Sequence, residues 1–179
     1  GSNSSIGAPS GANATIRLGS LTTTGVLQFT GAADSTNRSF ALYGTTGGGT
    51  IDNDGTGALS LSGNIHAAEL GAKTLTFQGT AGTLVAPNVF SGSIEECLAV
   101  LTVTKAEAGV WSFTNANTYT GNTNVNAGTL IVGNNSALGM GTLNLNAGTL
   151  QGDGTARTLA NTVLLSNSST IGGSSDWSF

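Results

Sequence analysis

Apolar and polar residues alternate with a period of two in short runs along most of this 179-residue chain. VLQFTG (26–31), SFALYG (39–44), ALSLSG (58–63), TLTFQG (74–79), VWSFT (110–114), GTLIVG (128–133), GTLNLN (141–146) and NTVLLS (161–166) all show it. Gly, Asn, Ser or Thr bounds each run, which is strand-and-turn chemistry. Helical spacing is almost absent. IEECLAVL (94–101) has good helix formers for one or two turns, yet its tail, running on as LAVLTVT, reads equally as a strand.

The spacing of these strands fits a β-sandwich or a β-solenoid. A repeat separates the two. NVNAGTL (124–130) returns almost unchanged as NLNAGTL (144–150), 20 residues later. A sandwich has no reason to repeat a strand and its turn, whereas in a solenoid each coil lies on the previous one in the same environment. The spacing predicts Leu130 over Leu150, Val125 over Leu145 and Gly128 over Gly148. It also predicts an amide ladder of Asn126 and Asn146, with the glycine pair at a corner needing positive φ. At about 20 residues and about 4.8 Å per coil, the chain makes about nine coils in a single domain, 1–179, about 40 Å long.

Composition agrees with stacking. Charged residues are 8% of the chain and Gly numbers 28. Like charges stacked in register repel, while Thr, Ser and Asn stack without that cost. Net charge is -4, with five scattered cations, Arg17, Arg38, Lys73, Lys105 and Arg157, which disfavours nucleic acid as a partner. No apolar run has the length of a membrane span, so this segment is not expected to insert in a membrane. Cys97 is alone and forms no internal disulfide. Gly1-Ser2 reads as a cloning scar, and SSTIGGSSDWSF ends in mid-strand, so a fragment of a longer protein is expected. Uncapped coils predict end-to-end self-association as well as stacking on neighbouring solenoid segments of the parent.

LTVTKAEAGVWSFTNANTYTGNTNVNAGTLIVG, residues 101–133, resembles the autotransporter-associated β-strand repeat, also called the passenger-associated transport repeat. Lys105, Gly109 and Trp111 match the first half of that motif. Asn117, Tyr119, Gly121, Thr123, Val125, Gly128 and Leu130 match the second. The chain departs from it at Glu107, where the family usually has Gly, and at Phe113, where it usually has Leu. The resemblance implies a right-handed parallel β-helix in a secreted or surface-exposed passenger of a Gram-negative bacterium. It also implies a role in passenger export and folding, without catalytic residues or cofactors.

Candidate chemistry is sparse. Asp52 and Asp54, in GGGTIDNDGTG, nearly match a G-G-x-G-x-D calcium repeat, but Thr50 stands where Gly is required, and Leu61 occupies the bidentate position of an EF-hand. A tight turn is the plainer reading. As a glycosidase pair the two aspartates lack neighbouring groups to hold sugar. Glu95, Glu96, Cys97 and His66 suggest a Cys–His pair without an orienting third residue; a buried structural Cys and a surface His are expected instead. Trp111, Phe113 and Tyr119 are expected to fill the core rather than to form a sugar platform, and Trp177-Ser178-Phe179 echoes Trp111-Ser112-Phe113 as a coil position. Three functional readings follow: a non-enzymatic rod or stalk; an adhesin-type module binding glycans, a host surface or ice; and a polysaccharide-cleaving β-helix enzyme.

Overall fold

A computed structural model describes residues 15–179. Expectations about residues 1–14, including the scar at 1–2, lie outside the described residues. The described chain is all strand and turn, and every strand pair is parallel. Each turn visits three faces in order. The first face holds β1 (Thr15–Leu18), β4 (Ser39–Leu42), β7 (Ile65–Ala67) and β10 (Ile94–Glu96). The second holds β2 (Thr24–Phe29), β5 (Gly47–Asn53), β8 (Lys73–Gln78), β11 (Leu101–Lys105), β13 (Thr123–Val125), β15 (Leu143–Leu145) and β18 (Val163–Leu165). The third holds β3 (Asp34–Thr36), β6 (Leu59–Leu61), β9 (Asn88–Phe90), β12 (Val110–Phe113), β14 (Thr129–Val132), β16 (Thr149–Gly152) and β19 (Thr170–Gly172). The first face resumes at the C-terminal end as β17 (Arg157–Thr158) paired with β20 (Trp177–Ser178). IEECLAVL is therefore strand, turn and strand, not helix.

The second and third faces each stack seven strands, so the solenoid has about seven turns and not nine. The reason is an uneven period. Val103 pairs with Thr123, Thr123 with Leu143 and Leu143 with Val163, a 20-residue repeat. Nearer the N-terminus Thr24 pairs with Gly48, Gly47 with Lys73, and Lys73 with Leu101, and these turns run 24 to 28 residues. The repeated heptapeptide reports only the shorter coils.

Alternation sets what each strand buries. Leu75 and Phe77 of β8 and Leu101 and Val103 of β11 point inward, while Thr74, Thr76, Thr102 and Thr104 point outward. The inward residues of all three faces share one core. Leu130 lies on Leu150 and Val125 on Leu145, as the repeat predicts. Asn146 Nδ2 donates to Asn126 Oδ1 at 2.7 Å, and Asn144 Nδ2 to Asn124 Oδ1 at 2.8 Å. Gly128 has φ +64°, but Gly148 does not share the left-handed conformation, so only one of the pair makes the expected corner.

An aromatic cluster joins the third turn to the fourth. The Phe77 ring meets Phe90 at 5.5 Å, Trp111 at 4.9 Å and Phe113 at 4.8 Å between centroids. Phe113 lies in register on Phe90. Trp111 and Phe113 are thus core, and Ser112 points the other way. Trp177 pairs with Arg157 on the first face, so its W-S-F echo occupies a different side of the solenoid from Trp111.

Candidate functional site

The motif-bearing turn, residues 103–132, lies where the coil shortens from 28 to 20 residues. The first face has no strand here; a few main-chain bonds remain, Thr118 N donating to Ile94 O and Asn117 N to Ser136 O, both at 3.0 Å, and side chains add to them. Asn117, buried, accepts a hydrogen bond from Ile94 N at 2.7 Å and donates from Nδ2 to Ala137 O at 2.5 Å. One amide thereby bridges the turn below and the turn above. Its planar shape supplies donor and acceptor at a fixed separation, as a peptide group does. Tyr119 is fully buried; its hydroxyl lies 2.7 Å from Thr123 Oγ1, which donates to Leu138 O at 2.9 Å. Burial raises the Tyr119 pKa strongly, so its proton stays in place for this network.

Lys105 ends β11 at an inward position and is buried. Its Nζ donates to the carbonyls of Ala106, Glu107 and Ala127 at 2.6, 2.7 and 3.1 Å. Desolvation lowers its pKa to about 8, against the opposing charge of Glu107. Lys73 does the same at the preceding corner, donating to the carbonyls of Gly44, Leu70 and Gly71. These lysines close corners whose carbonyls have no strand partner.

The motif glycines sit where chains nearly touch. A Cβ on Gly109 would lie 2.3 Å from Ala81 O, and one on Gly121 2.3 Å from Leu101 O. Trp111 Nε1 donates to Gln78 O at 3.1 Å, while Val125 and Leu130 are fully buried. All ten motif positions therefore build corner or core.

The carboxylates divide into two groups. Glu96 accepts from Leu101 N at 2.8 Å and from Thr120 Oγ1, and Glu95 accepts from Ser93 Oγ. Register sets Glu95 beside His66 and leaves Cys97 on the following turn. Cys97 is exposed, a correction to the expected buried thiol: it falls in the turn after β10, beyond the alternation that buries strand residues. The second group is Asp52, Asp54 and Glu107, which present oxygens within 4.8 Å of one another. Asp52 lies at the end of β5, on its outer side, and Asp54 is in the turn that follows. The turn expected at this stretch thus begins only at Asp54.

Glu107 is the member sequence reasoning missed. It stands 53 residues beyond Asp54, so no local motif joins them; its departure from the motif's usual glycine was the one available signal. It carries φ +57°, a conformation glycine adopts freely and glutamate does not.

Residues 103–132 match the model of the passenger-associated-transport-repeat family. The chain carries a passenger-associated transport repeat. Over 139 residues, 78% of the chain, it is 37% identical to "Adhesin BmaC autotransporter" of Brucella suis biovar 1 (strain 1330). The matched region is 4% of that protein's length, so the chain corresponds to a small part of it. No solved structure gives a significant match. The solenoid is thus of the autotransporter passenger type, the class of segment that outer-membrane proteins secrete or expose at the cell surface.

Proposed function

We propose that this chain is a non-enzymatic structural module: a rod segment, 1–179 as one domain, in a large bacterial passenger displayed outside the cell. The observation that carries this is the use of the repeat's own residues. Asn117, Tyr119, Thr123 and Lys105 spend their polar atoms on neighbouring turns and corners, and Trp111, Val125 and Leu130 fill the core. Side chains consumed this way set coil upon coil and serve no solvent-facing chemistry.

The same arrangement supports a part in export. Each coil bonds mainly to its neighbours, so a chain emerging from a pore folds by adding coils to a growing end. Asn117 bridges three successive turns and acts as a ratchet tooth: once Ala137 has docked, Asn117 is held on both sides. The test is made in the full-length parent passenger. Removing residues 143–162 deletes one coil beyond the motif turn and preserves register, because Leu143 and Val163 occupy the same position. Removing 103–142 takes out the motif turn instead. The expected result is near-normal surface display for the first deletion and reduced display for the second. Equal display of both refutes the export role and leaves the rod.

A second reading has its own observation. Thr50, Thr76, Thr104, Asn124 and Asn144 lie in register on the outer side of the second face. Such a straight row of hydroxyls and amides suits a repetitive polar ligand such as a glycan, in keeping with a relative named as an adhesin. A glycan array decides: saturable binding lost on Thr76→Val with Thr104→Val supports it, and a blank array removes it.

A further inference from the structure

We propose that Asp52, Asp54 and Glu107 bind one divalent cation of the calcium class, which fastens the second turn of the solenoid to the fourth. Low charge elsewhere keeps stacked turns from repelling, yet here three carboxylates converge across one intervening turn. No cation lies within ion-pair distance of them among the described residues. Lys105 is turned inward, its ammonium spent on three carbonyls.

The independent observation is Asp52. Its side chain points away from the core, yet the residue is only 6% exposed. Oδ1 is buried without a hydrogen-bond partner, while Oδ2 accepts from Gln78 Nε2 at 3.3 Å. A buried carboxylate oxygen with no donor is costly in water-free surroundings, and a cation removes the cost. The neighbours are otherwise placed. Asp54 Oδ1 accepts from Thr80 N and Oγ1, both at 3.1 Å, and Asp54 Oδ2 from Gln28 Nε2 at 3.3 Å. Glu107 Oε2 accepts from Gly79 N at 3.0 Å. The acidic groups are thus held by Gln78, Gly79 and Thr80 of the intervening turn and, for Asp54, also by Gln28 of the first.

Geometry and ligand type favour calcium. Ca²⁺ binds oxygens at about 2.3–2.6 Å, so donors on opposite sides of one ion stand about 5 Å apart. A 4.8 Å limit on the separation of the three oxygens satisfies this. All three donors are hard carboxylate oxygens, with the Thr80 hydroxyl oxygen beside Asp54. Mg²⁺ needs a tighter octahedron and keeps its waters, so it binds more weakly here. The ion is structural: it bonds turns two and four through side chains where the main chain reaches only adjacent turns.

The proposal is independent of the export reading, and its test measures cation binding alone. The chelator-stripped chain is titrated with calcium chloride by calorimetry, and its melting temperature is followed with and without calcium. Expected is one saturable site with Kd at or below about 10⁻⁴–10⁻³ M, the extracellular range, and a raised Tm. Magnesium chloride gives a weaker response. Glu107→Gln, at a corner outside the core, and Asp52→Asn each weaken binding about tenfold or more. No heat and no rise in Tm at about ten times that concentration range overturns the proposal. So does undiminished binding by Glu107→Gln, which decides the matter even where Asp52→Asn fails to fold.

Discussion

Phe77→Ala is the perturbation that tests most directly how one turn holds the next. Phe77 is fully buried, and its ring lies within 5.5 Å of Phe90, Trp111 and Phe113 between centroids. Two of those partners belong to the following turn. Truncation of a buried phenylalanine costs about 3–5 kcal/mol through lost transfer energy and the cavity left behind. Three edge or tilted ring pairs, each worth about 0.5–1.5 kcal/mol beyond area, put this site toward the upper end, about 4–5 kcal/mol. Phe77→Leu separates the terms: it restores most of the apolar volume but none of the ring pairs, so about 2 kcal/mol remains lost. The assay is urea denaturation followed by far-UV circular dichroism, with Val85→Ala as control. Val85 is 95% exposed, and its truncation is expected within about 0.5 kcal/mol of wild type. Amide exchange should show the loss concentrated in β8 and β12, the strands that carry Phe77 and Trp111. A cost for Phe77→Ala below about 2 kcal/mol, or a Phe77→Leu variant as stable as the control, refutes the idea that the aromatic cluster couples these turns.

Two further predictions concern the corners. Thr123→Val strands the Tyr119 hydroxyl and leaves the Leu138 carbonyl only the long bond from Asn161 Nδ2 at 3.5 Å, and should cost about 2–3 kcal/mol, whereas Tyr119→Phe leaves Thr123 donating to Leu138 and should cost about 1 kcal/mol; equal losses in urea melts would sink this network. Gly71 has φ +93° and a Cβ there would stand 1.5 Å from Thr45 O, so Gly71→Ala should unfold the corner, while Gly172→Ala, which meets only Thr170 Cγ2 at 3.9 Å, should be neutral. Melting temperatures of the two variants check this, and a tolerated Gly71→Ala contradicts the close approach.

Much of the architecture was legible in the chain itself, and a few residues show why. Period-two alternation fixes which side of a strand is buried whatever the fold, so VWSF announced Trp111 and Phe113 as core. The heptapeptide copied 20 residues on placed Leu130 on Leu150 and Asn126 under Asn146, because identical neighbours in a solenoid need identical environments. The stretch 101–133 pointed to its family, whose model matches residues 103–132.

What the sequence could not determine is whatever depends on distance between turns. The coil count missed because the longer N-terminal turns carry no copied segment, and only pairing such as Lys73 with Leu101 measures them. Cys97 was misplaced because burial in a turn is set by the packing of the corner and not by alternation. Asp52, Asp54 and Glu107 are an instance of the same limit: 53 residues of chain separate the last two, and only two turns of stacking bring their oxygens within 4.8 Å. Local chemistry chose strands, turns and stacking partners. The tertiary structure alone decided which charges meet, since side chains on non-adjacent turns have no short-range pattern to record their contact.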